Sequence, residues 1–291
     1  METVRAPDEA FASLPDYPFE PHWFDHDGLR MHYLDEGAGD PVLLVHGEPT
    51  WSFLWRRIVP RLTAAGHRAV VPDHIGFGRS DKPDDVSWYT YDRHVTALTA
   101  LAEALDLRGL TVVVHDWGGP IGLRFAVENE ERVERLVILD TGVAAGRAPS
   151  ETWLRFRDAV RNVGGGLDMG RLVAAGTARG LADEVRAAYD APFPTPGSKA
   201  GALAFPDLVP TEPEHPSAAA MTRVHEALAS WHKPALVVWG ADDAVLPPRF
   251  ADRFVELIPG ATGPELIANA SHFLQEDAPD EVAAAILRFL A

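Results

Sequence analysis

Asp116 closes the run Leu110-Thr-Val-Val-Val-His-Asp, and Trp117-Gly118-Gly119 then opens a stretch of helical character. An apolar strand, a reactive side chain on a sharp turn and a helix behind small residues make the setting of a nucleophile elbow, here with Asp where many enzymes carry serine. Gly118 and Gly119 let the helix start close to the strand, whereas Val114 stands where a glycine is usual. The competing reading of Asp116 is a helix N-cap, a position that Asp also favours. Two other segments favour chemistry. Asn269-Ala-Ser-His272-Phe-Leu-Gln-Glu-Asp277 follows a short strand run and precedes the last helix, and Trp239-Gly-Ala-Asp-Asp243 follows the strand run before it. The order Asp116, Asp243, His272 is that of nucleophile, acid and base in a triad carried on strand ends. Asp242, beside Asp243, is expected to face solvent. Asp140, at the end of the run 136–139, is the rival acid.

A base and a nucleophile need an oxyanion site. The loop His46-Gly-Glu-Pro-Thr-Trp-Ser52 follows the apolar run 42–46 and is expected to supply it. The backbone N–H groups of Glu48 and Trp117 would face the developing charge. His46 and Gly47 are expected to shape the turn.

These residues must be held by a sheet. Strand-like runs fall at 29–35, 42–46, 69–72, 110–114, 136–139, 235–239 and 266–268. Helical periodicity covers 91–107, with Val95, Leu98, Leu101, Ala102 and Leu105 on one stripe, then 119–127 and 281–290. Such alternation predicts a mainly parallel sheet covered on both faces. It stops between 143 and 230, where helical segments at 152–160, 182–189 and 218–229 occur without a convincing strand. The expected organisation is a core of 1–142 and 231–291 with a helical cap of 143–230. The cap would cover the C-terminal edge of the sheet, where α/β proteins bind ligands. Gly164-Gly-Gly166 is expected to be a flexible loop of that cap.

The chain has 291 residues, 46% hydrophobic and 24% charged, ordinary for a globular protein with a large core. Its 43 acidic and 26 basic residues give a net charge of −17, which disfavours nucleic acid and anionic membranes as partners. No cysteine is present, so thiolate nucleophiles, disulfides and Cys-ligated metals are excluded. The N-terminal residues show no apolar core of a secretory signal, and no run of 18 apolar residues exists to span a bilayer. The expected location is cytoplasmic.

His46-Gly-Glu-Pro-Thr-Trp, Gly76-Phe-Gly-Arg-Ser-Asp-Lys-Pro83, Asp116-Trp-Gly-Gly, Tyr189-Asp-Ala-Pro-Phe-Pro194 and His272-Phe-Leu-Gln-Glu-Asp277 together resemble the haloalkane dehalogenase family, over nearly the whole chain. The pair Gly76 and Gly78 lacks the Gly-Lys-Ser/Thr of a phosphate loop. The resemblance implies an α/β-hydrolase fold: a mostly parallel central sheet flanked by helices, with a helical cap inserted after the sixth strand. It implies a small halogenated alkane and water as reactants, halide as a product, and no cofactor or metal. Asp116 would displace halide from an sp³ carbon, which needs no proton moved, because a carboxylate is already anionic at neutral pH. The resulting alkyl ester needs a base and an oxyanion site for its hydrolysis: His272, oriented by Asp243, and the amides of Glu48 and Trp117. Other branches of the family supply the acid from the station of Asp140.

Indole N–H groups donate without offering an acceptor, which suits a halide in an apolar pocket. Trp117 resembles the first halide-binding tryptophan, and Trp153, in Thr152-Trp-Leu-Arg-Phe156, resembles the cap tryptophan of one branch. Phe156, Phe205 and Pro206 are expected to wall the pocket; Trp51 and Trp231 are expected to be packing residues. Ser271 stands where the wider fold often has glycine. An epoxide hydrolase would use the same Asp and His but needs two cap tyrosines as proton donors, and Tyr189 alone lies in the cap. A fluoroacetate-type enzyme would place an arginine pair where Trp117 stands. A catalytically silent binding protein is a third alternative, against which the retained stations count.

Overall fold

Eight strands make one sheet, the central ones from short runs of valine, isoleucine and leucine: β1 (His22–His26), β2 (Leu29–Gly37), β3 (Pro41–Val45), β4 (Arg68–Pro72), β5 (Leu110–His115), β6 (Val133–Leu139), β7 (Ala235–Gly240) and β8 (Ala261–Ile267). The computed structural model describes residues 2–144 and 151–291. The strand order is β8-β7-β6-β5-β3-β4-β2-β1. Pairing is antiparallel for β1 with β2 and β2 with β4, and parallel elsewhere. Every residue of β5 and of β7 is buried, as parallel strands covered on both faces require. Side chains alternate between two cores. Leu43, Val45, Val112, Val114, Leu136 and Ile138 serve one, and Leu44, Val113, Val137, Leu139, Leu236 and Val238 the other.

The helices are α1 (Val59–Ala64), α2 (Tyr91–Ala104), α3 (Gly118–Glu128), α4 (Glu151–Val163), α5 (Met169–Ala175), α6 (Asp183–Asp190), α7 (Ala200–Ala204), α8 (Ala218–Leu228), α9 (Arg249–Leu257), α10 (Leu274–Asp277) and α11 (Pro279–Leu290). Helices α4 to α8 lie between β6 and β7, the sixth and seventh strands of the sheet, and no strand falls there among the described residues. The start of that insertion, 145–150, lies outside the described residues.

Differences from the expected elements lie at edges and ends. Strand β1 carries His22, Asp25 and His26 and pairs only with β2, so no apolar run marks it. Strand β8 begins at Ala261, ahead of the expected 266, and holds Gly263-Pro264, tolerated because it is the sheet's other edge. Helix α2 ends at Ala104, before the expected 107, because Asp106 turns the chain at φ 44°. Gly164–Gly166 is not a loose loop: it forms a 3₁₀ turn, and a Cβ on Gly165 would stand 2.6 Å from Pro196 Cβ.

Candidate active site

Asp116 sits at φ 49°, in the left-handed region that costs a non-glycine residue about 1–3 kcal/mol and persists only where neighbours hold it. Here its carbonyl accepts from Gly119 N–H at 2.8 Å and from Thr141 Oγ1 at 2.5 Å, and its own N–H donates to the Asp140 carbonyl at 3.2 Å. Two glycines allow the close packing: a Cβ on Gly47 would overlap the Asp116 carboxylate, and one on Gly118 would overlap the Val45 carbonyl at the end of β3. Val114 is accommodated by a third. A Cβ on Gly122, one turn into α3, would lie 2.6 Å from Val114 Cγ1, so the space saved elsewhere by a glycine on the strand is saved here on the helix.

His272 follows β8. Its Nδ1 is 3.0 Å from Asp243 Oδ2, and its Nε2 is 3.3 Å from Asp116 Oδ2. Asp243 follows β7 and is fixed by the N–H groups of Val245 and Leu246, which donate to its Oδ1 at 2.7 and 2.9 Å. Asp242 is exposed, as expected. Asp140 ends β6 fully buried, with both carboxyl oxygens 3.1 Å from Gly240 N–H. Burial, then the charge of Asp243, pushes its carboxyl well above the ordinary range. Burial would do the same to Asp243, but the charge and hydrogen bond of His272 outweigh it and leave that group low. The two acids are thus pushed apart: the surroundings favour the charged form of Asp243, beside the imidazole, and the neutral form of Asp140 behind it.

The Asp116 carboxylate is gripped from both sides. Glu48 N–H donates to Oδ1 at 2.8 Å, and the Trp117 N–H also faces the group. Burial alone would raise its pKa; the hydrogen bond and charge of His272, then His115 and the Trp117 amide, hold it below the ordinary value. Burial lowers the pKa of His272, yet Asp243 and Asp116 more than reverse this and carry it well above the ordinary histidine value. The arrangement therefore favours the protonated imidazole and the two charged carboxylates together.

Other placements refine the sequence reading. His46 is a loop residue: its Nδ1 donates to Gly47 O at 2.8 Å and its Nε2 accepts from His74 N–H at 3.0 Å. Trp117 is 8% exposed, its ring 5.2 Å from that of Phe205, which packs on Phe77 at 4.8 Å. Phe205 and Pro206 are buried, but Phe156 is 39% exposed and stands toward solvent. Trp153 is half-buried on α4 with the Arg157 guanidinium 5.7 Å from its ring centre. Trp51 and Trp231 are buried packing residues. Tyr189 is buried, and its hydroxyl donates to Glu276 Oε1 at 2.5 Å.

Three groups escaped the sequence reading. The carboxyl of Glu48 is pushed well up by burial and then by Asp116, which favours its neutral form beside the candidate nucleophile. His115 Nε2 donates to the His272 carbonyl at 2.7 Å, and burial followed by the charge of His272 lowers its pKa to about 4. Asp277 accepts the Ser271 N–H at 2.9 Å. Asp277 lay in a quoted motif, Glu48 was singled out for its amide and not its carboxyl, and His115 adjoins Asp116; position alone did not show which atoms these side chains face.

The family model described as alpha/beta hydrolase fold matches residues 40–279. The haloalkane dehalogenase of Mycolicibacterium paratuberculosis is 46% identical over 297 residues, covering 99% of this chain and 98% of its own length. That of Psychrobacter cryohalolentis is 40% identical over 304 residues, covering 100% and 98%. Among solved structures, the tetrameric haloalkane dehalogenase DpaA from Paraglaciecola agarilytica NO2 superposes with a TM-score of 0.93 at 34% identity, covering 98% of this chain and 97% of that one. A whole-length match to these enzymes, on a fold that brings Asp116, Asp243 and His272 into one hydrogen-bonded row, means that the chain belongs to the haloalkane dehalogenase family of α/β hydrolases.

Proposed function

We propose that this haloalkane dehalogenase converts small haloalkanes and water to alcohol, halide and a proton through an alkyl ester of Asp116. One observation carries the reading: the Asp116 carboxylate has Oδ1 in the Glu48 N–H and Oδ2 beside His272 Nε2. In the first step Oδ2 attacks the carbon opposite the halogen. A C–O bond forms and the C–X bond breaks, its electron pair leaving as halide between the indole N–H groups of Trp117 and Trp153. In the second step water attacks the ester carbonyl carbon while His272 Nε2 takes its proton. The oxyanion grows at Oδ1, toward the amides of Glu48 and Trp117. Collapse breaks the acyl C–O bond, the alcohol leaves with the proton from His272, and Asp116, left as the acid, releases the remaining water proton to solvent and is again a carboxylate.

The electrostatics supports this order. Alkylation turns Asp116 into a neutral ester and removes one of the two anions that hold His272 protonated. The imidazole then loses its proton more readily, so the base is freed when the ester exists to be hydrolysed. Asp243 keeps the ring oriented and stabilises the imidazolium that re-forms.

The helical segment 143–230 serves as a cap over a core of 1–142 and 231–291, with Phe205 and Pro206 beside the reacting carbon. No cofactor or metal enters either step. The proposed location is cytoplasmic; the net charge of −17 supports an enzyme that binds neither nucleic acid nor anionic membrane, and no helix among the described residues is long and apolar enough to cross a bilayer. Epoxide hydrolysis is disfavoured because the hydroxyl of Tyr189 is committed to Glu276. The test is halide and alcohol release from a panel of bromo- and chloroalkanes, with an epoxide alongside. Turnover of the bromoalkanes and none of the epoxide is expected; epoxide opening without halide release contradicts the proposal.

A further inference from the structure

The turn that carries His272 is tied on both sides to the helical insertion. Asp277 Oδ2 accepts two N–H groups, from Ser271 at 2.9 Å and from Ala178 at 2.8 Å; its Oδ1 accepts Arg179 N–H at 3.2 Å. Ser271 directly precedes the imidazole, whereas Ala178 and Arg179 lie between α5 and α6. Phe273, directly after it, donates its N–H to the Gly176 carbonyl at 3.1 Å. Its ring lies 5.0 Å from that of His272, and a Cβ on Gly176 would come within 2.6 Å of it. Glu276 adds a buried junction: Arg56 binds it through two nitrogens at 2.5 and 2.8 Å, and Tyr189 of α6 donates to it.

We propose that Asp277 is a positioning residue for His272, through which the insertion sets the hydrolytic step. This rests on reading His272 as the base of that step. A carboxylate accepting several amide N–H groups forms charge-assisted bonds, stronger than neutral ones. One oxygen here fixes the backbone on both sides of the junction. His272 must hold Nε2 over the ester while Nδ1 stays on Asp243, and small misplacements of a catalytic group are costly. Alkylation makes no such demand, since Asp116 is held by β5 and the Glu48 amide.

Rapid-quench mass spectrometry of the full chain with 1,2-dibromoethane separates the steps. Asp277→Ala is expected to alkylate within about twofold of the parent but to hydrolyse the ester about tenfold more slowly or worse, so that alkyl-enzyme accumulates. Asp277→Asn keeps an oxygen for the Ser271 and Ala178 amides and is expected to recover most of the hydrolysis rate. Gly176→Ala approaches from the insertion side and decides the matter if the alanine variant does not fold; by displacing Phe273 it should show the same split, about threefold. Equal slowing of both steps, or unchanged hydrolysis, overturns the role of Asp277. His272→Ala is run alongside. Its failure to accumulate alkyl-enzyme would overturn the base assignment and Asp277 with it, whereas accumulation there but not in Asp277→Ala removes Asp277 alone.

Discussion

At the scale of single residues, strand ends and chain order drew attention to Asp116, Asp243, His272 and the amide of Glu48, and the fold brings these four groups within hydrogen-bond reach of one another in a row. What order cannot convey is protonation. Asp140 and Asp243 end neighbouring strands and look alike in sequence; burial and the position of the imidazole push the pKa of one up and hold that of the other down. This yields a prediction. Asparagine can still donate to Asp243 as a neutral carboxyl does, so Asp140→Asn should change ester hydrolysis by no more than about threefold. Asp243→Asn removes the anion that stabilises the imidazolium, and hydrolysis should fall by a factor on the order of 10³. The pH dependence should separate them further. On the proposed mechanism hydrolysis needs neutral His272 and is lost as pH falls through the pKa of that residue in the alkyl-enzyme. Asp243 raises this pKa, so its removal moves the acid limb to lower pH, while Asp140→Asn leaves the limb in place. Single-turnover hydrolysis across pH measures both; a larger defect in Asp140→Asn would move the acid to β6.

At the scale of elements, the central strands were legible because a run such as Val112, Val113 and Val114 fills two cores at once and leaves no place for a charged side chain. The edges were not: β1 is half polar, and β8 carries Gly263-Pro264, so neither follows a buried pattern. The elbow shows how two elements compensate each other. Val114 departs from the usual glycine, and Gly122 on α3 absorbs its bulk. Alanine is intrinsically the better helix residue, yet Gly122→Ala should destabilise the chain by about 1–3 kcal/mol, since overpacking forces α3 off β5. Adding Val114→Ala should restore most of the loss. Denaturant unfolding of the single and double variants checks this, and a neutral or stabilising Gly122→Ala would show that the contact does not limit helix approach.

At the scale of the whole molecule, the failure of strand alternation after residue 142 revealed an insertion, but not how it is joined to the sheet. The junction runs through Tyr189, Gly176 and Ala178 on one side and Phe273, Glu276 and Asp277 on the other, contacts nearly a hundred positions apart in sequence that no local pattern encodes. Fold and junction converge on one chemical claim, a covalent ester on Asp116 that His272 hydrolyses. The decisive measurement is the intact and peptide mass of His272→Ala after incubation with 1,2-dibromoethane. The two-step mechanism predicts stoichiometric gain of one bromoethyl group on the peptide containing Asp116, stable because its base is missing. A folded variant that stays unmodified, or one modified at another residue, would contradict it.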